Sequence, residues 1–126
     1  MKILEDRLYS KDHEWVLVSG STARVGITDY AQDALGDVVF VQLPNVGEKF
    51  SVGSACCEVE STKSVSDIYV PIEGSISLTN AKLSEAPGLI NSDPYGEGWI
   101  FELSLESSVS TKILIDADQY RQLIEG

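Results

Sequence analysis

A mainly β fold in a single domain, with short peripheral helices and one helix at the C-terminus, is what this sequence predicts. Two observations carry that prediction. Short runs rich in Val, Ile, Phe, Tyr and Trp recur along the chain, each closed by Gly, Pro, Ser or Asn. The length of 126 residues suits one domain over 1–126, large enough to bury about two-thirds of its unfolded surface without a metal or disulfide.

The elements follow in order. Trp15–Val18 and Thr22–Ile27 flank Ser19-Gly20-Ser21, the signature of a hairpin. Asp29 followed by Gln32 three residues on predicts a helix with Asp29 as its cap, and Gly36 offers a left-handed stop. Val38–Leu43 is the strongest strand run, and Pro44-Asn-Val-Gly47 turns the chain after it. A short strand over Lys49–Val52 ends at Gly53-Ser54. Ala55–Glu60 and Val65–Val70 are two strands about a polar interruption. Pro71-Ile-Glu-Gly74 repeats the proline turn, which hints at two related halves on either side of residues 60–66. Gly74–Thr79 alternates apolar and polar at period two, as a half-buried strand does. Asn80–Ala86 reads as a short helix ended by Pro87-Gly88, and Asp93-Pro94 as a turn. Trp99–Leu105 reads as a last strand. Asp116 and Gln119 repeat the capping logic for a helix through Tyr120, Leu123 and Ile124.

Charge and composition exclude several functions. Nine Lys and Arg against twenty Asp and Glu give a net charge of −11. Nucleic acid and anionic membrane surfaces both repel such a chain. No apolar run approaches the ~20 residues of a membrane span. The opening Met1-Lys-Ile-Leu-Glu-Asp6 has neither the apolar core of a signal peptide nor the Arg-rich character of a transit peptide. A single His and two adjacent Cys are too few for the usual zinc site. Neighbours in a strand point to opposite faces, so Cys56 and Cys57 are expected to stay reduced and to serve packing. His13-Glu14-Trp15 is expected to cover a sheet edge, with Trp15 in the core.

One segment points to chemistry. Glu58-Val-Glu-Ser-Thr-Lys-Ser-Val-Ser-Asp67 brings two apolar strands to a polar turn with a lone lysine in its middle. Ser61, Thr62, Ser64 and Ser66 are small and leave Lys63 open to solvent. A nucleophilic lysine needs an apolar pocket or a second cation. Here the near neighbours are the carboxylates Glu60 and Asp67, so Lys63 reads as a handle that another enzyme acylates, or as a plain solvated lysine.

Glu60–Asp67 resembles the lipoyl-lysine hairpin of the glycine cleavage H-protein family. The resemblance extends along nearly the whole chain, in order. His13-Glu14-Trp15-Val16, Val25–Gln32, Leu35–Val41, Leu43-Pro44, Asn91–Trp99 and Asp116–Tyr120 all look like that family's motifs. There are departures. Thr62 and Ser64 stand where the family often has Val and Ala, Cys56 and Cys57 replace small or aliphatic residues, and Ala86-Pro87-Gly88 replaces a more acidic stretch.

The resemblance implies a flattened barrel-sandwich hybrid of two β-halves, a lipoyl- or biotinyl-like hammerhead, with the lysine at a hairpin tip between them. It implies lipoate in amide linkage on Lys63, flanked by Glu60 and Asp67 as recognition residues. It implies a non-catalytic, monomeric carrier. The aminomethyl group would pass from a pyridoxal-phosphate glycine decarboxylase to a tetrahydrofolate-dependent aminomethyltransferase. Dihydrolipoamide dehydrogenase would then reoxidise the arm, and a lipoate ligase or lipoyl transferase would have installed it. The location implied is the bacterial cytoplasm for a complete chain, or the mitochondrial matrix if a transit peptide has been removed. A lipoyl relay that donates lipoate to 2-oxoacid dehydrogenase subunits remains open. A biotin carrier is disfavoured, because biotin acceptors have Met on both sides of the lysine. An unmodified interaction module is the remaining alternative.

Overall fold

The computed structural model describes residues 1–107 and 109–125. Among these residues nine strands form two sheets packed face to face. They are β1 (Leu8–Tyr9), β2 (Glu14–Ser19), β3 (Thr22–Ile27), β4 (Val38–Gln42), β5 (Lys49–Phe50), β6 (Ala55–Ser61), β7 (Val65–Tyr69), β8 (Gly74–Thr79) and β9 (Phe101–Ser104). The larger sheet runs β1-β2-β3-β9-β8-β5 and the smaller β4-β6-β7, with every pairing antiparallel. This is the expected flattened sandwich, and its two sheets are not closed into a barrel.

The two proline turns are where the chain changes sheets. After Pro44–Gly47 it leaves β4 for β5, and after Pro71–Gly74 it leaves β7 for β8. The strands that follow the turns then pair with each other, Lys49 opposite Ser75 and Phe50 opposite Gly74. The similar turns therefore lie side by side, which is the structural content of the repeat seen in the sequence.

Alternation decides what is buried. Val25, Phe101, Leu103 and Ile76 face inward from the large sheet, and Val41, Val59 and Ile68 from the small one. A second cluster lies toward the C-terminal helix α4 (Ala117–Glu125), where Tyr9, Trp15, Tyr95, Ala117 and Tyr120 pack together. Trp15 is fully buried, and its indole N–H donates to the Pro94 carbonyl at 2.9 Å. It is not at an edge, because the two-residue β1 pairs with β2 outside it.

The helices differ from the sequence expectation in instructive ways. The first, α1 (Asp29–Leu35), is capped by Thr28, whose hydroxyl accepts the Ala31 N–H at 3.2 Å. Asp29 is instead the first helical residue, and its carboxylate accepts the Gln32 amide at 2.7 Å. Gly36 ends the helix at φ 84°, as expected. The helix over Asn80–Ala86 shrinks to α2 (Lys82–Glu85), and an unexpected turn of helix, α3 (Leu89–Ser92), follows Pro87-Gly88. Pro87 does not prevent this, because a proline just ahead of a helix forfeits no intrahelical bond. The C-terminal cap is as read: the Gln119 N–H donates to Asp116, and the Asp116 N–H donates back to Gln119. No helix among the described residues is long and apolar enough to cross a membrane.

Candidate functional site

Strands β6 and β7 form a hairpin whose apex is Thr62-Lys63-Ser64. Ser61 builds the turn. Its hydroxyl receives the N–H groups of Lys63 and Ser64, both at 3.1 Å, and its own N–H donates to the Ser64 carbonyl at 2.8 Å. Lys63 thus leaves the turn exposed, as the run of small residues predicts, and makes no ion pair among the described residues.

The apex is held from below by the segment Gly36–Val38. Thr62 donates its N–H to the Asp37 carbonyl at 3.0 Å. A side chain at Gly36 would bring a Cβ within 3.0 Å of Lys63 Cε, on a backbone already at positive φ. Glycine there leaves the space in which the lysine stem lies.

Asn91, on α3, fixes that seat. Its carbonyl oxygen accepts the Val38 N–H at 2.9 Å, and its amide donates to Gln32 at 3.0 Å and to the Gly36 carbonyl at 2.9 Å. In the sequence Asn91 stands only at the head of a family-like motif, with no such role assigned to it. Its mark in the chain is a lone amide directly after the apolar pair Leu89-Ile90. Asn91→Ala is expected to cost about 2 kcal/mol, since it strands buried backbone groups. It should also speed hydrogen exchange at the Thr62 amide. Denaturant melts paired with amide exchange check this, and an equally protected Thr62 would contradict the assignment of the seat.

Beside the apex a groove of about 300 Å³ opens between α1 and β7. Its walls include Tyr30, Ala34 and Leu35 from the helix side and Ser64 and Asp67 from the strand side, with His13 at one end. His13 holds a left-handed backbone at φ 69°. Its Nδ1 lies 2.8 Å from the Tyr120 hydroxyl, which in turn lies 2.7 Å from the Thr28 hydroxyl that caps α1. Burial holds the His13 imidazole below its ordinary range, against an opposing pull from Asp12. The helix that walls the groove is therefore fastened at one end by His13 and Tyr120, and at the other by Asn91.

Glu14 is expected at a sheet edge, and the structure buries it instead. It is 1% exposed, on β2 rather than at an edge. Its carboxylate contacts the Ser10 hydroxyl at 2.5 Å and the Tyr69 N–H at 3.4 Å, at the far end of β7. Burial pushes the carboxyl up to about 7, with Asp12 adding to the rise and the two hydrogen bonds opposing it.

Glu60 and Asp67 stand on the outer, exposed face of the hairpin. Glu60 is opposite Val65, and Asp67 is opposite Glu58. Neither forms an ion pair with Lys63. Farther down the same strands, a bulge between Ala55 and Cys57 breaks the strict alternation expected for the two cysteines. Cys57 is buried and Cys56 half-buried, both are free thiols, and the Cys56 neighbour together with burial pushes the Cys57 thiol up.

Comparison with known proteins agrees with this geometry. The family model described as glycine cleavage H-protein matches residues 7–126. A glycine cleavage system H protein of Beutenbergia cavernae is 50% identical over 100% of this chain and 99% of its own length. One from Thermus thermophilus is 52% identical over 100% of this chain and 98% of its own. The crystal structure of a glycine cleavage system H protein from Mycobacterium marinum superposes with a TM-score of 0.89 at 42% identity, covering 98% of this chain and 100% of that one. A hairpin lysine seated on glycine, on a matching sandwich and with a family match over nearly every residue, leaves one assignment: the chain belongs to the glycine cleavage H-protein family.

Proposed function

We propose that residues 1–126 form a single, non-catalytic lipoyl-carrier domain in which Lys63 bears lipoate in amide linkage. The observation that carries this is the seat of Lys63: an exposed amine with no ion pair among the described residues, at a hairpin apex, its stem over Gly36, with an open groove beside it. The residues fit the group. The amine is exposed to an acyl donor, the glycine leaves room for the stem, and the groove is lined in part by apolar side chains. Tyr30, Ala34 and Leu35 would hold the hydrocarbon part of an arm folded back from the tip. When bound, lipoate supplies a redox-active disulfide that can accept and release a small carbon unit.

The chain's own contribution is position. A tethered arm reaches each partner at high effective concentration, and the rigid hairpin holds its root in one place. The partners in this reading are the glycine decarboxylase, which loads the aminomethyl group, the aminomethyltransferase, which removes it, and dihydrolipoamide dehydrogenase, which reoxidises the arm. A lipoate ligase or lipoyl transferase installs it. The reading places the chain in the compartment where those enzymes work.

Intact-mass analysis of the chain from its native host tests the modification. One lipoyl group per chain, mapped to Lys63 by peptide analysis, is the expected result, and an unmodified chain overturns the reading. Carbon dioxide release from glycine by the decarboxylase, dependent on the lipoylated chain, tests the cycle against a pure lipoyl relay.

Glu60 and Asp67 belong to recognition in this reading. Both are exposed, so their carboxylates contribute little to folding. Glu60→Gln is expected to slow lipoylation while the melting temperature moves by less than about 2 °C. Equal lipoylation rates for the two chains would remove Glu60 from that role.

A further inference from the structure

The strand beside the lysine hairpin breaks the alternation of a half-buried strand. A bulge between Val38 and Phe40 turns two consecutive apolar side chains outward, Val39 at 49% and Phe40 at 56% exposure. Bulges of this kind re-aim side chains, and they concentrate next to functional sites. Phe40 pairs with Glu60, and Glu60 pairs with Val65, itself 56% exposed. Phe40, Glu60 and Val65 therefore form one row across all three strands of the small sheet. The next row is Gln42, Glu58 and Asp67. Two residues separate Glu60 from Lys63 on one side of the turn, and a single residue, Ser64, separates Val65 from it on the other. The inner face of the same strands is fully engaged in the core through Val38, Val41, Val59 and Ile68.

Three large apolar side chains grouped on an otherwise acidic face mark an interaction surface. Charge decides the kind of partner. The face presents Glu58, Glu60 and Asp67, and the whole chain carries −11. A second copy would set the same carboxylates against these, and an anionic lipid surface or a nucleic acid would be repelled. A protein with an apolar recess rimmed by Lys and Arg fits. Its position beside the amine narrows the partner further, because an enzyme that forms a bond at Lys63 Nζ must cover the ground around the apex.

We propose that the row Phe40–Glu60–Val65, with Val39 beside it, is the surface on which the lipoate-transferring enzyme docks. This rests on the reading of Lys63 as the lipoylation site. In the step served, the unprotonated Nζ attacks the carbonyl of lipoyl adenylate, made by the enzyme from lipoate and ATP. The new C–N bond forms, the C–O bond to AMP breaks, and the amine gives up one proton.

The test uses the full chain with a lipoate ligase, ATP and lipoate. Phe40→Ser, Val65→Ser and the double variant lie on the surface and spare the core. The expected result for the double variant is a KM for the carrier raised tenfold or more, with kcat within twofold. Its melting temperature should be unchanged, and so should acetylation of Lys63 by a small succinimidyl ester. Leu123→Ser, at an exposed apolar site on α4 away from the hairpin, should leave KM unchanged. A wild-type KM in the double variant overturns the proposal. So does an equal rise with Leu123→Ser, or a loss of succinimidyl reactivity, which would trace the effect to presentation of the lysine. If the wild-type chain itself accepts no lipoate, the lipoylation reading fails and the docking surface with it.

Discussion

Lys63→Arg is expected to leave a folded chain that takes up no lipoate. Arginine keeps the positive charge and most of the aliphatic stem, but its guanidinium is not an acyl acceptor under these conditions. The ammonium it replaces is exposed and makes no ion pair among the described residues, so stability should stay within about 0.5 kcal/mol. The other lysines offer no comparable handle. Lys49 lies 3.5 Å from Glu106 and Lys82 lies 2.7 Å from Glu97, and none of them occupies a hairpin apex held by a serine turn. Intact mass after incubation with ligase, ATP and lipoate gives the answer, with complete loss as the expected effect. A lipoyl group on any lysine of the Lys63→Arg chain would remove the special status of the apex.

What the sequence could disclose depended on how local the deciding contacts are. The β6–β7 hairpin was legible because its turn is built within four residues, by Ser61 and the small side chains around Lys63. The Asp116–Gln119 cap was legible for the same reason. At α1 the same pattern fell one residue off. Thr28 and Asp29 are both good caps, and the choice is made by Tyr120, whose hydroxyl reaches Thr28 from 92 residues away. The edge position expected for His13-Glu14-Trp15 failed because β1 is only two residues long, too short for any period to register. The seat under the lysine was hidden most completely. It joins Asn91 to Gly36 and Val38 across more than 50 residues, and nothing in a single sequence pairs them. The family resemblance supplied the sandwich; the runs of β-branched residues alone stopped at a β-rich domain, since periodicity assigns strands but not their order in two sheets.

The buried carboxyl of Glu14 makes folding depend on pH with a sign opposite to that of most acids. In the folded chain the group holds its proton up to about pH 7, against an ordinary value of 4.5. Between those limits the native state binds a proton that the unfolded chain has lost. This contribution to stability is therefore full below about pH 4.5, declines as pH rises, and is gone above about pH 7. The interval of about 2.5 units corresponds to about 3 kcal/mol, at 1.36 kcal/mol per unit. Glu14→Gln removes the titration while keeping an oxygen for the Tyr69 N–H, and toward Ser10 its amide N–H donates to the hydroxyl where the carboxylate accepts from it. Relative to wild type, the variant should gain about 2 to 3 kcal/mol on going from pH 5 to pH 8, slightly less than the full interval because the decline starts near pH 4.5. Urea melts of both chains at the two pH values read that difference directly. All other titrating groups cancel in the comparison unless they sense Glu14, and Asp12 is the one neighbouring carboxylate that raises its pKa. Repeating the pair of melts in an Asp12→Asn background should shrink the difference without abolishing it. Equal effects of Glu14→Gln at pH 5 and pH 8 would mean that the carboxyl titrates normally, and that the bonds from Ser10 and Tyr69 offset its burial.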